Sequence, residues 1–334
     1  MPQLDWEFVC DFNRRNYMEK DVMGEAERRR LAAINNTSDK DVCTTGAAAS
    51  TWPLSNVRAF QEVQHTLNRH NVDYSRPGFH DSAAFLSAEK AEGSFIDNVA
   101  RLVEARTYST EELASAAVKV RIASEAVNSA VEADGRHGLC VIASGVLSRM
   151  LDALGVWNYC AKSTMTISFP ESVSRSRRYF YAIDEGEFTA PHAIVVAPPY
   201  TVIDVTAKHQ PYDVLGMAES LPRIVMSKTF NPYTWSVEDI VAPSFRELNM
   251  QHRAGLEAYL RARNPQMLKT MNVLHGRQVL YDRTGILCYV IVGVGGYAEP
   301  LEDLHVGVNI NERRPIDIFN VDVLPRVNTI LGLQ

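Results

Sequence analysis

The five cysteines, Cys10, Cys43, Cys140, Cys160 and Cys288, form no C-x-x-C pair and are odd in number. Zinc ribbons and disulfide frameworks need such pairing, so neither is indicated, and a reducing compartment with free thiols fits better. No apolar run approaches the ~20 residues a membrane helix needs. Met1 to Cys10 (MPQLDWEFVC) carries acidic residues where a secretory signal would carry basic ones. A cytoplasmic location is therefore the expectation, with secretion by a signal-independent route as the alternative. Positive charge is not in excess either. Lys and Arg number 34 against 40 Asp and Glu, a net charge of -6, so the footprint of a nucleic-acid binder is missing. The short run Arg175-Ser176-Arg177-Arg178 is read as a solvated loop. Internal repeats and low-complexity tracts are lacking too.

What is present is the composition of a folded chain: 334 residues, 46% hydrophobic and 22% charged. That length suits two domains, or one core with large extensions. The patterning divides into a helical N-terminal region (1–108), a central unit (109–232) and a mixed α/β C-terminal region (233–334). In the first region the charged stretch Glu19 to Ile34 reads as an exposed helix. Pro53-Leu54-Ser55 opens another, with Val57, Phe60, Val63 and Leu67 as its buried stripe. A turn follows at Tyr74 to Gly78, then a helix from about Ala88 to Arg106.

The central unit begins with a helix from Thr110 to about Glu132, capped by Ser109 or Thr110 and stopped at Asp134-Gly135. Gly138-Leu139-Cys140 leads into an apolar helix ending at Leu154-Gly155. Strand-like runs follow at Trp157–Phe169, Arg178–Ile183, Ala193–Val196 and Thr201–Val205. Helices followed by strands make the fold class α+β, not alternating βαβ. Further on, Ala254–Arg263 reads as a helix ended near Pro265, and Ile286–Val294 and His305–Ile310 as strands. Gly293-Val294-Gly295-Gly296 resembles a fragment of a dinucleotide loop. It precedes no helix start, so a strand-end turn is the better reading.

Cys140 sits where a Gly-containing turn becomes a helix. Free N–H groups and the positive dipole end there favour a thiolate, the nucleophilic form, and the Cys140 N–H is half of an oxyanion hole. Position alone divides evenly between this reading and a small buried residue. His192 and Asp204 move the balance. Pro191 to Thr206 reads as a hairpin turning at Pro198-Pro199. With a three-residue loop, Ala197 to Pro199, Val196 faces Tyr200 and His192 faces Asp204 on one side of the sheet. A two-residue loop would separate the pair unless a bulge compensates. A carboxylate on one imidazole nitrogen fixes the tautomer and leaves the other to take the thiol proton. Cys140, His192 and Asp204 are thus the candidate catalytic residues.

Their order and surroundings resemble the transglutaminase-like cysteine enzymes, a branch of the papain-like fold. The matching phrases are Gly138-Leu139-Cys140, the helix end Met150-Leu151-Asp152-Ala153-Leu154-Gly155-Val156, His192, and Val202-Ile203-Asp204-Val205-Thr206. They span roughly residues 110–210. Where the family often carries an aromatic after the His, this chain has Ala193. The resemblance implies a helix packed on an antiparallel sheet, and acyl transfer through a thioester on an amide carbonyl of a protein or peptide substrate. The reaction would be of protease, deamidase or transglutaminase type. It implies no cofactor and no metal, and leaves the oligomeric state open. The alternatives are an inactive transglutaminase-like protein-binding module and an acyltransferase like the arylamine N-acetyltransferases. A metal site built on His192, Asp204 and His209 is weaker, since the spacing matches no strong motif. His137 and Lys208 read as loop or rim residues.

Overall fold

The computed structural model describes residues 42–45, 51–184, 187–188, 191–246, 250, 252–305 and 307–332. The expected helix at 19–34 lies outside them. The architecture is mixed α+β, built on a nine-stranded sheet. Its strands are β1 (Val42–Thr45), β2 (Tyr159–Ser168), β3 (Arg178–Phe180), β6 (His192–Ala197), β7 (Tyr200–Asp204), β8 (Ile224–Ser227), β9 (Asn231–Tyr233), β10 (Gly276–Tyr281) and β11 (Gly285–Gly295). They lie in the order β1-β8-β7-β6-β2-β11-β10-β9, with β3 also pairing β2. Every pairing is antiparallel except β1 with β8. A separate hairpin pairs β4 (Ile183–Asp184) with β5 (Glu187–Phe188).

The first helices are α1 (Val57–Arg69), α2 (Ala83–Ala91) and α3 (Asp97–Ala105). Val63 and Leu67 are buried as expected, but Val57 is exposed, because it is the first residue of its helix, beyond the packed turns. The single helix expected over 88–106 is two, joined by a 3₁₀ turn that begins at Gly93. Glycine inside a helix costs about 1 kcal/mol relative to alanine, which favours a break there. α4 (Thr110–Asp134) opens on a capping box between Ser109 and Glu112 and ends on left-handed Gly135. α5 (Cys140–Ala153) buries Val146, Leu147, Met150 and Leu151.

Beyond the sheet's first half come α6 (Val237–Ile240), α7 (Arg253–Arg263) and α8 (Pro265–Val273). The sequence pattern ends a helix near Pro265 and does not announce α8. Asn264 accepts from Met267 N, and proline fits the first helical position, where no N–H is needed. The described residues of the strand expected over 305–310 do not form one: Gly307 has φ 69°, outside extended geometry, and among the described residues only an isolated bridge joins Ile310 to Arg313. α9 (Pro315–Ile318) and α10 (Leu324–Leu331) close the chain's described part.

Alternation along the strands divides the buried residues between the two faces of the sheet, with Val290 and Val292 in a third cluster. Ala161, Met165, Ile194, Val202, Tyr289 and Ile291 face a cluster that includes residues of α1 and α3. Val195, Ala197, Ile203 and Met226 face α4, α5 and α10. The sheet draws strands from both sides of residue 233, and β11 lies against β2 near its middle. Among the described residues no helix is long and apolar enough to cross a membrane.

Candidate active site

Cys140 is the first residue of α5, straight after Gly138 at φ 76° and an N-cap, Leu139, whose side chain caps nothing. The first-turn N–H groups are therefore left without a side-chain acceptor. One turn along, Ser144 Oγ donates to Ala193 O at 2.9 Å, which holds the start of α5 against the start of β6. The Cys140 thiol makes a long contact to Pro191 O, 3.9 Å away.

The hairpin register differs from the one expected. The loop has two residues, since Ala197 pairs with Tyr200, and Val196 does not face Tyr200. One extra residue on β7 then shifts the ladder so that Val195 pairs with Ile203. Continuing that register puts Asp204 beside Ile194, so His192 and Asp204 are diagonal neighbours on one face, not directly opposed. A bulge inserts one residue and restores the parity that an even loop removes. The two side chains meet: His192 Nε2 lies 2.6 Å from Asp204 Oδ2.

Asp204 is saturated with donors. Thr206 N and Oγ1 donate to Oδ1 at 2.9 and 3.2 Å, and Tyr289 OH donates to Oδ2 at 2.9 Å. A carboxylate only accepts, so Nε2 carries the proton in this pair. Burial works against both charges. For His192 it pulls the pKa down, but the Asp204 charge and hydrogen bond override it, with a further upward contribution from Cys140, and the result is raised to about 10. For Asp204 burial pushes the pKa up, but His192, Thr206 and Tyr289 bring it below the ordinary carboxylate value. The opposed shifts describe an ion pair in a dry site.

His192 Nδ1 is the nitrogen left over. It is buried and has no hydrogen-bond partner. Cys140 is near enough to raise the imidazole's proton affinity, without the alignment of a formed hydrogen bond at Nδ1. Tyr289 and Phe180 flank the ring, with centroids 6.1 and 6.4 Å away. His192 also marks a split in the sheet. β2 pairs with β6 as far as Ser163–His192, then with β3 from Met165–Phe180.

The site is closed. His192 and Asp204 have no exposure, and Cys140 is 4% exposed. Beside it lies a cavity of about 610 Å³, lined by Val141 and Ala193, the residues after Cys140 and His192, and by Cys160, Lys162 and Tyr297 among others. Cys160 and Cys288 are buried thiols, each pushed up to about 12 by burial. His209 contacts Asn128, not His192, with Asn128 Nδ2 at 3.4 Å from its Nε2. His137 approaches the carbonyl of His209, 3.4 Å away. Lys208 follows β7 in a 3₁₀ turn. Among the described residues no group of His, Cys, Asp and Glu is arranged to hold a metal ion. Gly293 to Gly295 lie inside β11, not in a turn, and only Gly296 leaves the strand.

Comparison with family models, with curated proteins and with solved structures finds no match for this chain. The site's partners that the sequence does not reveal are Tyr289 and Ser163. Tyr289 is 85 residues from Asp204, and nothing local in the sequence couples them. Ser163 could be found only by knowing the β2–β6 register.

Proposed function

We propose that this chain is a cysteine-nucleophile acyl-transfer enzyme of transglutaminase-like type, in which Cys140 attacks, His192 carries the proton and Asp204 orients and charges His192. The observation that carries the reading is the unpaired His192 Nδ1, left free near the helix N-terminus that bears Cys140 while Nε2 is held by Asp204. With its pKa raised to about 10, His192 already holds the proton on Nδ1 near neutral pH, so Cys140 enters as the thiolate and its sulfur bonds to the carbonyl carbon of an amide. The oxyanion is met by the Cys140 N–H at the uncapped start of α5. The C–N bond breaks, the leaving amine takes the proton from His192, and a thioester remains. Water or an amine then attacks with His192 as base, giving the acid or a new amide and the free thiol.

A second reading rests on burial. A His–Asp pair without exposure, next to a nearly buried thiol, also suits a polar core of a non-catalytic, partner-binding module. The experiment that separates the two is thioester trapping. The full chain is incubated with a pool of amide-bearing peptides and hydroxylamine, and hydroxamate is measured beside Cys140→Ala. Hydroxamate that disappears in the variant supports the enzyme; equal amounts, or none from either protein, favour the binding module.

A further inference from the structure

β2 is buried from Tyr159 through Ile167 at every position but one, and that one is a cation, Lys162. Three features converge on it. Lys162 stands opposite Ala193, the residue after His192. On its other side β11 bulges, with Ile291 opposite Ser163 and Gly293 opposite Lys162, so that Val292 is extra. Bulges of this kind re-aim side chains beside functional sites. The bulged strand presents glycines along the lysine stem. A Cβ at Gly295 would come within 2.6 Å of Lys162 Cε, and one at Gly293 within 3.5 Å of Cδ. The bare backbone thus leaves a channel for the lysine, and its stem runs along that channel into the 610 Å³ cavity.

We infer that this cavity, on the α5 side of the sheet, is the substrate cleft and that Lys162 receives a carboxylate on the substrate. Turnover of what binds there rests on the acyl-transfer reading of Cys140; the binding itself does not. Among the described residues Lys162 has no ion pair within 4.0 Å, and its exposed side chain lines the cavity, where its charge is open to an anion. The other charges in the cavity choose among anions. Glu89 is near enough to feel Lys162, and Asp97 is occupied by Gln266 and Thr270. Burial raises the pKa of both acids. A phosphate dianion meets more repulsion from the same pair and only one lysine. A carboxylate-bearing amide is the class that fits.

The test uses the full chain carrying Cys140→Ala, which removes the nucleophile and keeps the cavity. Calorimetric titration compares glutaramate, which has an amide and a carboxylate, with neutral glutaramide, cationic δ-aminovaleramide and inorganic phosphate. Glutaramate is expected to bind about 10-fold more tightly than glutaramide, the scale of one charge-assisted hydrogen bond. Lys162→Met should erase that preference and Lys162→Arg should keep it. Gly295→Ala, which crowds the lysine stem, should weaken it. A thermal melt of each variant confirms the fold. Equal binding of glutaramide or δ-aminovaleramide, stronger binding of phosphate, or a preference that survives Lys162→Met overturns the assignment. If glutaramate binds as expected while Cys140 proves inert, the cleft stands and the acyl-transfer reading fails. If Cys140 is reactive and no carboxylate preference is found, the acyl-transfer reading stands and the cleft assignment fails.

Discussion

Ser163 stands directly opposite His192 across β2 and β6, both side chains are fully buried, and the serine hydroxyl has no hydrogen-bond partner. A hydroxyl buried without a partner costs stability, so Ser163→Ala should leave the denaturant midpoint unchanged or raise it by up to about 1 kcal/mol of stability. Urea melts check this. A loss above about 2 kcal/mol would mean that the hydroxyl is bonded and that the surroundings of His192 differ from this geometry.

Asp204 behaves oppositely, because it accepts four hydrogen bonds without exposure. Asp204→Ala leaves a buried imidazolium unpaired and is expected to cost about 3–5 kcal/mol. Asp204→Asn keeps the shape but removes the charge, so the imidazole should titrate well below its present value. Histidine ring signals followed by NMR across pH give that shift directly. An unmoved His192 titration would contradict the coupling. Tyr289→Phe removes one donor to the same carboxylate and should cost about 1–3 kcal/mol, with a smaller shift in the same direction.

The pair also sets a pH window for stability. His192 is raised from 6.5 to about 10, so its contribution is complete below 6.5 and is lost as pH rises towards 10. Asp204 is lowered from 3.8, so its contribution is complete above 3.8 and is lost as pH falls through the depressed value. Together they predict a plateau between about pH 4 and 6.5, with stability declining on both sides. Urea melts from about pH 3 to 10 should show it, and Asp204→Asn should flatten the alkaline arm. An alkaline arm unchanged in that variant would assign it to other groups.

Tyr297 tests how the cavity wall is held. Its ring lies against Gly145 so closely that a Cβ there would come within 2.5 Å of the ring. Arg149 donates to the carbonyls of Tyr297 and Ala298 at 2.5 and 2.8 Å, so the backbone cannot easily retreat. Gly145→Ala should therefore cost about 1–3 kcal/mol by overpacking. A thermal melt checks it, and a neutral result would show that Tyr297 swings aside.

Much of this molecule is legible from local pattern. The capping box at Ser109–Glu112, the apolar run of α5 and the glycine stops at Gly135 and Gly155 are short-range signals, and the helices they bound are where the sequence places them. The register of β6 and β7 is not legible, because a bulge is a compromise between strand twist and packing that no single residue announces. The expected contact of His192 with Asp204 is present, but by a diagonal across a bulge, not a three-residue loop. Tyr289, Ser163 and the channel for Lys162 come from β2 and β11, which only the folded topology sets beside β6. Long-range pairing is the part hidden from a reading along the chain.

The central claim is that Cys140 is a nucleophile served by His192, and its most direct test is alkylation. The native chain is treated with iodoacetamide from about pH 5 to 9, a range that spans thiol ionisation, and each cysteine's rate is read by peptide mass spectrometry, beside Cys140→Ala and His192→Ala. Cys140 is predicted to react faster near neutral pH than Cys160 and Cys288, whose burial keeps them protonated, and to lose that advantage in His192→Ala. A Cys140 that reacts no faster than the other thiols, or equally fast without His192, contradicts the account.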